Sequence, residues 1–442
     1  MFDLVIYISR YLFIFYIGLF IFESAIFIVK RKSDESSLKV AMSVQRLVIV
    51  FMHLTAFLIL SYVPGEFKFD IYTLIMAAAS LIFLLIANHF ALKIYAGSRV
   101  LLWNSVFFLL DVGIITLYRL TPKLAIKQLL WMIVGFIIMI LIPYVLRFIK
   151  KIYNYEYFFI AFALILICLT LYKGEASGGS LNWLSIAGVI SFQPSEIVKF
   201  LFIFYLASAF KDKVSAKNVI VSGVFSAAIV LLLVVQRDLG GALIFFTTYM
   251  LMLYMATSNS ILFFGGMGAA CIASVFAYTV FSHVRVRVSA WINPWADIES
   301  GGYQIVQSLF AITTWGFLGS GLTKGMPEKI PVVARDFIFS AICEEFGAFF
   351  GICLIFIYLV VFYCGVKIAL SSSKKYYSMI SAGIITMFSF QTFLILGGNT
   401  KFIPLTGVTL PFVSYGGSSI LVSFVMIGIL QWINCAKKEE EK

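Results

Sequence analysis

The sequence predicts an all-α polytopic membrane protein on three observations: little charge, apolar runs of membrane-crossing length, and basic residues gathered in every second loop. Of the 442 residues, 62% are hydrophobic and 12% charged, whereas soluble domains carry about 25% charged residues. That leaves too little polar surface to cover a soluble globule of this size, so most of the surface faces lipid. The formal net charge of +12 does not indicate nucleic-acid binding, because the cations sit in short loops rather than on one soluble face.

Runs of about 20 apolar residues suffice to cross a bilayer as helices. In chain order the candidates are 4–29, 43–64, 70–95, 100–118, 127–147, 156–173, 195–210, 217–235, 239–256, 260–281, 337–368, 377–397 and 411–434, thirteen spans in all. The first is too long for the apolar part of a secretory signal, and no small-residue cleavage site precedes the charges from Lys30 onward, so it reads as a membrane helix. The run 337–368 exceeds one span and must tilt or extend beyond the bilayer.

Loop charge sets the orientation. Lys30, Arg31, Lys32, Lys39 and Arg46 follow the first span, and Lys93 and Arg99 follow the third. Arg147, Lys150 and Lys151 follow the fifth, and Lys211, Lys213 and Lys217 the seventh. Lys367, Lys374 and Lys375 follow the eleventh, and Lys437 and Lys438 the last. The positive-inside rule puts these loops in the cytoplasm, with the N-terminus outside and the C-terminus inside. Arg119, Lys123 and Lys127 run against the pattern. The remaining loops then face outward, including 174–194, rich in Gly and Ser, and the long segment 282–336. Residues 437–442 form a solvated tail.

The cysteines form no CxxC pair and read as small buried hydrophobes, not a disulfide or metal framework. His53, His89 and His283 are too scattered to suggest a metal site.

Four outer segments hold polar groups that membrane helices normally avoid. Gln193-Pro194-Ser195-Glu196-Ile197-Val198-Lys199 opens the seventh span with proline in its first turn, and Glu196 and Lys199 share a helix face. Such charges either pair with each other or line a cavity. Gln236-Arg237-Asp238-Leu239-Gly240-Gly241-Ala242 forms a tight turn in which Asp238 is a natural helix cap. Asp336 opens the run Asp336-Phe337-Ile338-Phe339, with Glu344 and Glu345 two turns on. Its plain role is an N-cap, although no Glu or Gln at 339 completes a capping box. In 404–419, PLTGVTLPFVSYGGSS, two prolines and three glycines break the helix before the last span. Irregular backbone at membrane depth must be buried in protein or line a cavity, and small residues can also serve close helix packing.

Together these segments resemble the SEDS family (shape, elongation, division and sporulation; the FtsW/RodA/SpoVE group). QPSEIVK, QRDLGGA, GGYQIVQSLFAI, DFIFSAICEEFG and PLTGVTLPFVSYGGSS stand in the family's order over roughly 98–436. The resemblance implies a ten-helix core with a large outer loop, 282–336, preceded by an N-terminal extension of about three helices, 1–97. It implies a peptidoglycan glycosyltransferase of the bacterial cytoplasmic membrane that polymerises lipid II at the outer face, in division, elongation or sporulation. It also implies a class B penicillin-binding protein as partner, and the lipid-linked strand as product. The family's essential aspartate maps onto Asp336.

Under that reading an acceptor hydroxyl gives its proton to Asp336 as it attacks the donor sugar. The departing lipid diphosphate needs cations, for which Lys199, Arg285, Arg287 and a divalent ion (Mg or Mn) are the candidates. Gln193, Glu196, Gln304, Glu345, Ser414, Gly416 and Gly417 complete the expected substrate-binding set. The chain departs from the family pattern at Asn182, Val332, Arg335 and Ile395, with Asn399 and Lys401 near the last. Two other readings fit the same spans: a flippase or transporter of a lipid-linked precursor, and a non-catalytic scaffold for a penicillin-binding protein.

Overall fold

The computed structural model describes residues 2–29, 35–63, 68–148, 152–177, 180–186, 190–299 and 301–440. Its helices follow the apolar runs closely. They are α1 (Phe2–Val29), α2 (Glu35–Ser61), α3 (Ile71–Ile94), α4 (Val100–Leu120), α5 (Pro122–Phe148), α6 (Glu156–Lys173), α7 (Pro194–Ala209), α8 (Ala216–Val235), α9 (Leu239–Thr257) and α10 (Ser260–Val280). After them come α11 (Ser282–Ile292), α12 (Tyr303–Thr313), α13 (Ile338–Phe346), α14 (Ala348–Ser371), α15 (Lys375–Asn399) and α16 (Gly417–Glu440). Two hairpin-like elements interrupt them: β1 (Tyr62–Val63) pairs with β2 (Lys68–Phe69), and the Gly/Ser-rich loop forms an antiparallel sheet of β3 (Glu175–Ser177), β4 (Ser180–Ile186) and β5 (Ile190–Phe192).

Among the described residues, twelve helices are long and apolar enough to cross a membrane. The predicted seventh span is α7, which at 16 residues falls short of that length. It is buried almost throughout from Pro194 to Ser208, so its neighbours are protein rather than lipid. The long run 337–368 is not one tilted helix. It breaks at Gly347, where φ is +97° and an added Cβ would meet the Phe317 carbonyl oxygen at 2.2 Å, a position open only to glycine. The last span likewise starts at Gly417, and 404–416 stays irregular as its prolines require. Lys30, Arg31, Lys32, Lys150 and Lys151 lie outside the described residues.

Two helices form the centre: α4, buried from Leu101 to Tyr118, and α7. Glycines let α5 and α16 close against each other; a Cβ at Gly417 would fall 2.4 Å from Trp131 Nε1, and one at Gly135 2.9 Å from the Phe424 ring. By contrast α10 buries none of its residues. Helices α1–α3 pack on α4 and α14, with polar contacts between them. His53 Nδ1 meets Asp111 Oδ1 at 2.5 Å with both side chains fully buried. Asn104 Nδ2 donates to Gln45 Oε1 (3.0 Å), and Gln45 Nε2 donates to Ser24 Oγ (2.8 Å). The six cysteines are free; Cys343, Cys353 and Cys364 are buried as expected, but Cys168 and Cys271 are exposed on the outsides of α6 and α10.

Candidate active site

The polar segments meet at one end of the bundle, the loop face. Chain 282–337 is largely folded there, and its termination against α13 depends on two carboxylates. Glu344 accepts from the Met326 amide (2.7 Å), and Glu345 accepts from the Thr323 amide (3.2 Å). Glu345 also pairs with Arg119 at 2.9 Å, which gives the exceptional basic residue at the end of α4 a structural reason to be there. Backbone bonds from Ser320 to Glu344 (2.8 Å) and from Gly321 to Glu345 (3.0 Å) complete a strap over the α13–α14 break.

Asp336 precedes α13 but does not cap it. The helix starts at Ile338, its N-cap position is Phe337, and no side chain bonds its free amides. The Asp336 backbone is fixed instead: its amide donates to Val332 (3.2 Å), and its carbonyl accepts from Asn399 Nδ2 (2.7 Å). Asn399 is itself fully buried and accepts from Ser340 Oγ at 3.0 Å. Phe337 is fully buried against Ala311 and Ile330. Backbone anchors on both sides thus aim a half-buried carboxylate that accepts no hydrogen bond from the described residues.

Cations surround that carboxylate. A methyl group at Gly407 would lie 3.7 Å from Asp336 Oδ2 and 3.8 Å from Arg287 Nη2, so both groups face the small space over Gly407. Arg287, on α11, donates to the Thr406 carbonyl at 3.2 Å. Arg335 lies over the rings of Trp183 (5.5 Å) and Tyr415 (5.7 Å), an arrangement that holds the guanidinium without neutralising it. Burial pushes the Asp336 carboxyl up to about 6, against the downward pull of Arg335 and then Arg287. A carboxyl in that range is a competent general base near neutral pH. Burial also lowers Arg287, against the opposing pull of Asp336 and Asp238, and lowers His283, which faces Arg287 and Arg237.

An apolar groove of about 620 Å³ runs from this cluster down between α8, α9, α10 and α15. Arg287 and Thr406 stand in its wall, and Ala273, Ala277, Phe246 and Phe393 are typical of the rest. Thr406 Oγ1 is buried there without a hydrogen-bond partner among the described residues.

The irregular chain 404–416 closes the other side. Its backbone is satisfied by side chains from several helices, as membrane depth demands. Gln391 Nε2 donates to Thr409 (2.7 Å), Tyr358 OH to Pro411 (2.6 Å) and Gln128 Nε2 to Ser414 (3.2 Å), while the Gly416 amide donates to Gln128 Oε1 (3.2 Å). The segment is stitched to the chain before Asp336 by the Tyr415 amide to Ala334 (2.8 Å) and by Ser414 Oγ to Arg335 (2.5 Å).

Only Arg287 of the expected substrate-binding residues comes to Asp336. Lys199 Nζ is committed to Glu196 Oε1 and Gln391 Oε1, both at 2.8 Å, and lies buried. This pair is an internal strut between α7 and α15. Gln193 turns to Asp238 Oδ2 at 3.3 Å. Asp238 is the helix cap the sequence suggested, accepting from the Gly241 amide at 2.8 Å, and it also takes Asn182 Nδ2 at 3.3 Å. Glu345 sits at the far end of α13, roughly 13 Å of helix from Asp336. Ser414, Gly416 and Gly417 serve the backbone and the α5–α16 approach. Arg285, two positions from Arg287, is exposed on another helix face, and Gln304 on α12 is half-buried with no partner among the described residues.

The sequence reading missed Asn399, Gln128 and Asp111 as organising groups. Gln128 and Asp111 are polar residues inside apolar runs, which is by itself a signal in a membrane helix, whereas Asn399 lies just past the end of the run 377–397. Arg335 and Asn182 stood out only as departures from a motif, yet both reach the cluster. Arg237 stood out only within the turn from Gln236 to Ala242, and His283 only as an isolated histidine.

Comparisons with known proteins agree with this architecture. The family model described as cell cycle protein, for FtsW, RodA and SpoVE, matches residues 94–439. Over 391 residues the chain is 30% identical to peptidoglycan glycosyltransferase RodA of Mycobacterium leprae, covering 81% of this chain and 83% of that one. It is 30% identical over 316 residues to stage V sporulation protein E of Bacillus subtilis, covering 69% and 85%. Among solved structures, a chain of a peptidoglycan synthase complex that coordinates polymerization and crosslinking superposes with a TM-score of 0.65 at 23% identity, over 77% of this chain and 99% of that one. The rod shape determining protein RodA of Thermus thermophilus superposes with a TM-score of 0.56 at 22% identity, over 77% and 97%.

Proposed function

The chain belongs to the FtsW/RodA/SpoVE family of cell cycle proteins, and on that premise we propose how it acts as a peptidoglycan glycosyltransferase of the bacterial membrane. One observation carries the mechanism: Asp336, a carboxylate that accepts no hydrogen bond from the described residues, stands beside Arg287 at the head of an apolar groove. The groove suits the polyprenyl tail of a lipid-linked sugar such as lipid II. A tail lying there brings the diphosphate to Arg287, with Arg335 across the carboxylate. An acceptor sugar hydroxyl over Gly407 gives its proton to Asp336 as its oxygen bonds the donor anomeric carbon. The bond from that carbon to the diphosphate breaks, and the guanidinium groups take up the growing negative charge. Holding both partners by their tails and headgroups supplies the orientation such a transfer needs. The proton then passes from Asp336 to solvent.

Among the described residues no three His, Cys, Asp or Glu side chains cluster as metal ligands, and Asp238 already accepts three hydrogen bonds. Asp336 and the substrate diphosphate would hold a divalent ion, which would supply further positive charge to the leaving group. We place the loop face outside and the C-terminus inside because the basic loops lie at the other end of the bundle. The partner that crosslinks the strand is proposed to be a class B penicillin-binding protein.

The test is reconstitution of the purified chain with such a partner in liposomes containing lipid II. Glycan strands are the expected product. Labelled lipid II that crosses the bilayer while no polymer forms would replace this reading with that of a transporter.

A further inference from the structure

A second cavity, about 380 Å³, opens between α2, α3 and α4 at the end of the bundle away from the loop face. Its walls are mainly leucine, with Ile49, Val50, Asn88 and, from α4, Phe107, and its rim carries Arg46, His89 and Lys93. Among the described residues no carboxylate lines it. The Arg46 guanidinium bonds only its own helix, Nε to the Met42 carbonyl (3.3 Å) and Nη2 to Ser43 Oγ (3.2 Å). Lys93 has no hydrogen bond or ion pair among the described residues, and Arg46 has no acidic partner. These two cations, with no acidic partner among the described residues, contrast with Lys199 and Arg119, which pair with Glu196 and Glu345.

The dimensions narrow the occupant. From Leu81 to Lys93 the lining of α3 runs about 18 Å along the helix, close to the roughly 15 Å depth of one leaflet's hydrocarbon. A molecule with an anionic head at Arg46 and Lys93 and an acyl chain reaching toward Leu81 matches both the charge and the length. We propose that this cavity is a binding site for an anionic glycerophospholipid. It is built wholly from the N-terminal helices and α4, and it shares no lining residue with the groove at Arg287. The proposal is independent of the reaction assigned to Asp336 and of the orientation in the membrane.

The experiment is native mass spectrometry of the purified full chain titrated with phosphatidylglycerol or phosphatidylcholine of identical acyl chains. A cation near an anionic headgroup contributes about a fivefold preference, so two give about thirtyfold. Wild type should hold one phosphatidylglycerol at about thirtyfold lower lipid concentration than phosphatidylcholine. Arg46→Gln/Lys93→Gln should abolish that preference. Leu85→Trp, which fills the slot and keeps the charges, should weaken retention of the bound lipid. Equal retention of the two lipids by wild type, or an undiminished preference in the double variant, overturns the proposal. If the double variant does not fold, Lys93→Gln alone decides, because Lys93 is exposed: a loss of about fivefold supports the site and no loss refutes it.

Discussion

Replacing Asp336 by Asn separates chemistry from architecture, because the amide keeps the shape of the carboxylate and removes its basicity. Loss of a positioned base costs roughly 10²–10⁴-fold in rate, or about 3–5 kcal/mol on the barrier. Stability should move the other way. The folded chain holds the Asp336 proton up to about pH 6, whereas an unfolded aspartate releases it near pH 4. Between those values the folded state binds more protons, so its stability falls as pH rises, and the penalty is complete above pH 6. Two pH units correspond to at most about 3 kcal/mol, less here because the group is only half-buried and solvent screens it. Asp336→Asn removes that penalty. The assay pairs strand synthesis from lipid II with the thermal midpoint in the same detergent. The expected result is near-complete loss of polymer with an unchanged or raised midpoint at pH 7.5, the difference between variant and wild type closing below pH 4. A lowered midpoint that tracks the lost activity would make Asp336 a structural residue and refute the argument, as would a variant polymerising at more than a tenth of the wild-type rate.

The rate of polymerisation should rise with pH through a limb near 6, and Arg335→Gln or Arg287→Gln should move that limb to higher pH, since both cations pull the carboxyl down; a limb that stays put disconnects it from Asp336. Asn399→Ala strips the donor from the Asp336 carbonyl and should cost about 1–3 kcal/mol and lower the turnover number, yet add no rate loss in an Asp336→Asn background. Lys199→Met leaves Glu196 buried and unpaired at a cost of about 3–5 kcal/mol. Glu196→Gln/Lys199→Met should recover most of that stability, and with it activity, if the pair is a strut; a folded but inactive double variant would return Lys199 to the substrate. Gly347→Ala should fail to accumulate in membranes, because its Cβ would collide with the Phe317 carbonyl at a backbone angle that alanine avoids.

Hydropathy carried most of the fold, and the reason is physical. A lipid-facing helix must satisfy its backbone internally and present an apolar surface, so its extent is written locally. The same local reading failed where three-dimensional context decides. The run 337–368 is apolar throughout, yet the strap 316–326 imposes a break at Gly347 that no hydropathy window contains. Motif order brought the right segments together but did not rank their residues. Glu196 and Lys199 look like site residues because intramembrane charges are conspicuous, and the fold uses them on each other. Asn399 looks unremarkable at the end of a span, and the fold uses it to set the Asp336 backbone. Contacts between residues tens or hundreds apart in sequence, such as Arg10 Nη1 to the Gly319 carbonyl at 2.9 Å, have no local trace at all.

That last contact bears on the role of the three helices ahead of residues 94–439, which the family model matches. Lys324 reaches Asp3 at 2.6 Å, and Phe13 packs edge-on to Phe346 at 4.9 Å. Thus α1 braces both the strap and the end of α13, and the strap is in turn bonded to Glu344 and Glu345. At the other end of the same helix, Asn399 and Val332 fix the backbone of Asp336. A nine-residue helix held at both ends behaves as a rigid lever, so movement of the Asp336 carboxylate just before it relative to Arg287 requires breaking bonds at one end. Arg287 rides on α11, which follows the helix that buries none of its residues, and so stands on the less anchored side. In the proposed reaction Asp336 would then be the fixed point of the site, and Arg287, held by its bond to the Thr406 carbonyl, the group that adjusts to the substrate.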